Sequence, residues 1–152
     1  MSWDIYLDDE DGQPVQVRPF VGGGTIMVNP ETMEEIPQVK AELNVTYNYS
    51  SVFQLAAAAA LYELGRGGVY APSPERTMLE AWYEDGIRSL DNARASDVAE
   101  GLRLMLRQLD PRGRGPNDAY DYWAPTPLNA AQPLRTLLEW CEQEPDATFT
   151  VH

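Results

Sequence analysis

Apolar and polar residues alternate most clearly over residues 40–50. Ala41, Leu43, Val45, Tyr47 and Tyr49 fall on one side, and Lys40, Glu42, Asn44, Thr46 and Asn48 on the other. Side chains alternate across a strand, so this segment is predicted to be extended, with one core face and one amide-and-hydroxyl face. Trp3, Ile5 and Leu7 alternate in the same way before the turn Asp9-Glu10-Asp11-Gly12, and residues 14–18 read as a returning strand, which gives an N-terminal hairpin. Residues 25–28, after the triplet Gly22-Gly23-Gly24, read as a third strand, and Thr148–Val151 as a last one.

The pattern then changes to helical spacing. Ser50 or Ser51 caps a helix over residues 52–64 that ends in Gly65, Gly67 and Gly68, and its tract Ala56 to Ala60 lets it lie close against a sheet. Ser73-Pro74-Glu75 opens a second helix with the stripe Met78, Leu79, Trp82 and Tyr83. Ser96-Asp97 opens a third, with Val98, Leu102, Met105, Leu106 and Leu109 on one face. Thr126 before Pro127 is a candidate cap for a fourth. A proline deep in a helix costs about 3 kcal/mol, however, so Pro133 allows the alternative of a regular part beginning near Gln132. Leu134, Leu137, Leu138 and Cys141 form its buried stripe, with Trp140 flanking. Strands followed by helices and a final strand predict one α+β domain over residues 1–152. It should be a mostly antiparallel sheet of about four to five strands with three to four helices packed on one face.

Composition narrows the function classes. The chain has 24 acids against 11 bases and a formal charge of −13, of which −7 lies in residues 1–50. A field of that sign repels nucleic acid and anionic lipid and suits either plain solubility or a basic partner. No apolar run approaches the roughly 20 residues of a membrane span, and the first residues lack the basic and apolar regions of an export signal, so a cytoplasmic protein is expected. The single Cys141 excludes an internal disulfide and fits a reducing compartment.

Catalytic chemistry has little to stand on. The one histidine, His152, is the last residue, where fraying is the rule, and Cys141 sits on an apolar stripe. A transition-metal site would lack His and paired Cys, so no metal or other cofactor is expected. With Gly12 at the glycine position of a calcium loop, Leu7 would have to be the first ligand and Arg18 the closing one, which excludes that motif. The glycine triplet lacks the context of a phosphate loop. Asp118 and Asp121 are close in sequence and could bind a hard cation or act as a catalytic pair, as could Glu42 with a partner strand, but in so acidic a chain such coincidences are common.

The better constellation is aromatic and amide. Asn44, Thr46 and Asn48 on the polar strand face, with Tyr122, Trp123, Thr126 and Asn129, are the groups a pocket for a flat polar ligand needs: rings to stack on its faces and amides to match its edge. The competing account makes the same groups structural, with rings at the core rim and amides bonded to loop backbone.

These motifs carry a resemblance. Asp4-Ile5-Tyr6-Leu7, Gly23-Gly24-Thr25, the block from Ala41 to Ser50, Gly86-Ile87-Arg88, and Tyr122-Trp123-Ala124-Pro125-Thr126 with Asn129-Ala130 resemble, in this order, a family of small uncharacterised proteins encoded by bacteriophages and prophages. The helix containing Leu137-Leu138-Glu139-Trp140 is similar as well, whereas the helix around residues 73–85 and Pro133 depart from the family. The resemblance implies a phage-type accessory protein in the host cytoplasm and brings no catalytic residue with it. Three readings follow. The first is a non-enzymatic binder of a small, nucleotide-like ligand that sequesters a host defence signal. The second is an acidic module that inhibits a basic host protein, and the third a carboxylate-dependent enzyme.

Overall fold

A computed structural model describes residues 1–19, 30–34, 38–66, 72–109 and 125–152. The expected strand at 25–28, the glycine triplet, and residues 110–124 with Arg112, Arg114, Asp118, Tyr120, Asp121, Tyr122 and Trp123 lie outside the described residues.

The first strand, β1 (Ser2–Asp8), holds the middle of the main sheet because its odd positions are apolar; Ile5 and Leu7 are fully buried. It pairs antiparallel on one side with β4 (Glu42–Thr46), with Asp4 opposite Asn44 and Tyr6 opposite Glu42. On its other side it pairs antiparallel with β5 (Thr148–Val151), with Tyr6 opposite Thr150 and Asp8 opposite Thr148. A short ladder of β2 (Gln16–Val17) and β3 (Val39–Lys40) continues from it. The two are joined where Leu7 N–H donates to the Ala41 carbonyl, Ala41 N–H to Val15 and Val15 N–H to Leu7. The hairpin turn is closed by Asp9, whose Oδ1 accepts from the N–H groups of Asp11 and Gln13, and by Gly12 at φ +76°.

The expected strand over residues 40–50 is shorter than its alternation suggests. β4 stops at Thr46, whose hydroxyl accepts from Asn48 N–H and caps one 3-10 turn, Tyr47–Tyr49, that feeds directly into α1 (Ser50–Arg66). Tyr49 still reaches the core, but from a helical turn rather than a pleat.

The helices form one layer. α1 buries Phe53, Ala56, Ala57 and Ala60. α2 (Pro74–Asp85) starts at Ser73, whose hydroxyl accepts from Arg76 N–H, buries Met78, Leu79 and Trp82, and ends at Gly86 with φ +66°. A 3-10 segment, Gly86–Leu90, leads to α3 (Ala95–Leu109), which presents Val98, Leu102, Met105 and Leu109 to the core. α4 (Pro127–Gln143) begins at the Thr126 cap and runs through Pro133 rather than starting beside it. Pro133 lacks the N–H that would bond the Asn129 carbonyl. The helix persists because Ala130, Ala131, Leu134, Leu137, Trp140 and Cys141 make one buried stripe that offsets that loss. Trp140, not Leu138, completes the stripe. The chain is thus an α+β domain with the helices on one side of an antiparallel sheet. None of its described helices is long and apolar enough to cross a membrane.

Candidate functional site

The residues expected to line a ligand pocket fall into two groups. Asn44 points from β4 to the uncovered side of the sheet, and its Nδ2 donates to Ser2 Oγ (2.7 Å) and Asp4 Oδ1 (2.8 Å). Thr46 is buried and caps the 3-10 turn, while Asn48 lies in that turn, exposed, instead of on a shared strand face. Thr126 and Asn129 belong to the start of α4: the Thr126 hydroxyl accepts from Asn129 N–H at 3.2 Å, and the Asn129 side chain is buried. Tyr122 and Trp123, the aromatic half of the expected site, lie outside the described residues.

What the fold brings together instead is the open face of the main sheet. The odd positions of β1 enter the core, so its even positions, Ser2, Asp4, Tyr6 and Asp8, face away from the helices. Glu42 and Asn44 join them from β4, and Thr148 and Thr150 from β5. Asp4, Glu42 and Asn44 are exposed and Tyr6 is half-buried among them. Thr150 Oγ1 donates to Asp8 Oδ2 at 2.5 Å. The Tyr6 phenol is pushed above its ordinary 10.0, first by partial desolvation and then by the charges of Glu42, Asp4 and Asp8, with a hydrogen bond to Glu42 adding to the effect.

His152 completes this face. Expected to fray, it is instead held by two backbone hydrogen bonds to Asp4, its carbonyl accepting at 2.9 Å and its N–H donating at 2.8 Å. Its imidazole meets the Tyr6 ring edge-on, with centroids 5.9 Å apart. At the end of the sheet the Trp3 and Tyr47 rings lie 4.5 Å apart, and the Arg88 guanidinium stands 5.6 Å over Trp3.

Charge is segregated around this face. Arg18 pairs with Glu139, Arg76 with Glu80, Arg94 with Asp146, Arg103 with both Glu100 and Glu142, and Arg107 with Glu63. None of these reaches Asp4, Asp8 or Glu42, which have no ion-pair partner among the described residues. Beyond the sheet edge a groove of about 320 Å³ continues the acidic surface with Asp9, Glu10, Asp11 and Glu144. No three His, Cys, Asp or Glu side chains among the described residues come together as metal ligands would. Cys141 is buried, and burial pushes its thiol up to about 12, which disfavours the thiolate.

One apolar cleft of about 500 Å³ lies between α2, the 3-10 segment and α3, floored by Met78, Leu90 and Val98 and rimmed by Ser73, Thr77 and Asp97. The sequence signal for the open sheet face was present in the even positions Asp4, Tyr6 and Asp8. What it lacked was the register that sets Glu42 against Tyr6, which only the folded sheet supplies. Compared with protein-family models, curated proteins and solved structures, the chain matches none.

Proposed function

We propose that the protein is a non-enzymatic binding module that holds a basic protein surface against the open face of its sheet. One observation carries the reading: Asp4, Asp8 and Glu42 surround Tyr6 with no cation paired to them among the described residues, which pair arginine after arginine with acids elsewhere. A phenol ring flanked by carboxylates suits a guanidinium, whose plane stacks on the ring while its N–H groups meet the oxygens. Complementary charge of this kind sets encounter rate and orientation. The resemblance to phage and prophage proteins supports an accessory role in the host cytoplasm, as an inhibitor of a host regulatory or defence protein.

The test is a titration of a fluorescent arginine-rich peptide by anisotropy at low and physiological salt. Affinity should fall steeply as salt rises. The triple variant Asp4→Asn, Asp8→Asn, Glu42→Gln should bind about tenfold more weakly or worse, while Glu75→Gln, Glu84→Gln, Asp85→Asn on α2 should bind almost as the parent does. Equal losses from both triples would reduce the effect to net charge and remove the sheet face from the account. A nucleotide that raises the melting temperature, with the rise lost in Asn48→Ala or Trp123→Ala, would favour the small-ligand reading instead.

A further inference from the structure

The apolar cleft of about 500 Å³ between α2, the 3-10 segment and α3 has no part in the sheet-face reading. Met78, Leu90 and Val98, each less than a tenth exposed, form its floor. Ala81 and Ala93 are too small to fill the space between the elements. A cavity of this size, mostly apolar with a few polar groups at its rim, has the form of a small-molecule site.

The packing of α3 keeps that space open. Glycine is the least favourable residue in a helix interior after proline, yet Gly101 lies in the middle of α3. A Cβ there would stand 2.2 Å from Met78 Sδ, so the missing Cβ is what lets the Met78 side chain lie back against α3. A larger residue at 101 would turn the thioether into the cleft and fill part of it.

The rim then selects by charge. Ser73 Oγ accepts from Arg76 N–H at 3.2 Å and Ser89 Oγ donates to the Gly86 carbonyl at 2.8 Å, so two of the three rim hydroxyls, with Thr77 the third, are already engaged. Asp97 is the one charged group among the lining residues. The arginines nearest to it in this part of the fold are held by other acids: Arg94 pairs with Asp146 at 2.5 Å and Arg76 with Glu80 at 3.9 Å. Asp97 is exposed and has no ion-pair partner among the described residues.

We propose that this cleft is a binding site for a small aromatic ammonium compound, its ring over Met78, Leu90 and Val98 and its N–H groups at the Asp97 carboxylate. A carboxylate only accepts hydrogen bonds, so it selects a donor, and a charged donor above a neutral one. Ser89, its proton given to Gly86, adds a second acceptor. The thioether of Met78 favours a ring over an aliphatic body, because sulfur is attracted to aromatic edges. An anion of the same shape would meet Asp97, no lining base, and a chain of net charge −13.

Titration of the 15N-labelled full chain with 2-phenylethylammonium, followed by amide chemical shifts, tests this against 3-phenylpropionate as the matched anion. The ammonium should shift Ala81, Leu90 and Val98, and the anion should bind about tenfold more weakly or worse. Asp97→Asn should weaken the ammonium about tenfold and bring the two probes to similar affinity, a ratio that a general loss of stability would not move. Gly101→Ala should weaken both probes together, since it closes the cavity and leaves the charge in place. No shift in the cleft up to about 10 mM ammonium, equal binding of the two probes to the parent, or shifts confined to Asp4, Tyr6 and Asp8 on the sheet would overturn the proposal.

Discussion

Gly101 lies in the middle of α3, where glycine is the costliest ordinary residue, and Met78 of α2 explains its presence. A Cβ built at Gly101 would stand 2.2 Å from Met78 Sδ, 3.2 Å from its Cγ and 3.3 Å from its Cε. The first contact is impossible as it stands, so Gly101→Ala forces Met78 to move. Replacing glycine by alanine in a helix interior gains about 1 kcal/mol. Against this stands an overpacking cost of about 1–3 kcal/mol, moderated because Sδ is near the end of a flexible chain and Met78 already lines the 500 Å³ cleft into which it can swing. The net single-variant effect is therefore from about neutral to about 2 kcal/mol destabilising.

Met78→Ala removes all three clashing atoms at a cost of about 2–5 kcal/mol. In that background Gly101→Ala should recover its full gain of about 1 kcal/mol, so the two changes should couple by about 1–3 kcal/mol in the stabilising direction. Urea unfolding of the parent, both single variants and the double variant at constant m-value measures the cycle. Additivity within about 0.5 kcal/mol would refute the packing account of Gly101.

The remaining predictions concern groups whose surroundings are equally specific. Followed by ultraviolet absorbance, Tyr6 should keep its proton above pH 10.0, the value of an unperturbed phenol, and Tyr6→Phe should remove this late-titrating step. Because the folded-state value is raised, the associated stability is intact below pH 10 and declines as pH rises through the folded value. Cys141 should resist a thiol-reactive dye in the native state and react fully in denaturant. Its thiol, pushed from 9.0 to about 12, makes stability decline progressively across that alkaline window. Trp82 is fully buried with no partner for its indole N–H among the described residues, so Trp82→Phe should change stability by only about 1 kcal/mol, as lost area offsets the removed donor, whereas Trp82→Ala should cost about 3–5 kcal/mol by thermal or urea unfolding. Thr46→Ala and Thr126→Ala should each cost about 1 kcal/mol in the same assay, because each hydroxyl accepts from a backbone N–H at a helical start.

Much of the architecture was legible locally. The alternation of Trp3, Ile5 and Leu7 places β1, and Ser73-Pro74 and Thr126-Pro127 mark the starts of α2 and α4, because caps and pleats are determined by near neighbours. The differences arose where a competing local cap or distant packing outweighed the simpler rule. Tyr47, Asn48 and Tyr49 continue a period of two, yet the Thr46 hydroxyl turns them into a helical start. Pro133 is unfavourable in a helix by itself and tolerable once Leu134 and Leu137 are sealed in the core. The sheet-face cluster needed pairing across 36 positions between Tyr6 and Glu42, and His152 looked unanchored until Asp4 supplied its backbone partner.

The division of charge sets the open face of the sheet apart from the helix layer. Arg107 ties α3 to α1 through Glu63, Arg103 ties α3 to α4 through Glu142, and Arg18 reaches Glu139 on α4, so these positive charges lie over the helices. Around Tyr6 in the main sheet, Asp4, Asp8 and Glu42 have no ion-pair partner among the described residues. Arginines engaged in the helix layer are not paired with the sheet's acids, so the sheet face stays acidic among the described residues. By the same segregation, α1 is left near neutral, with Leu55 and Tyr62 in water. Rising salt should thus loosen what the sheet holds, a response that a chain with evenly mixed charge would not give.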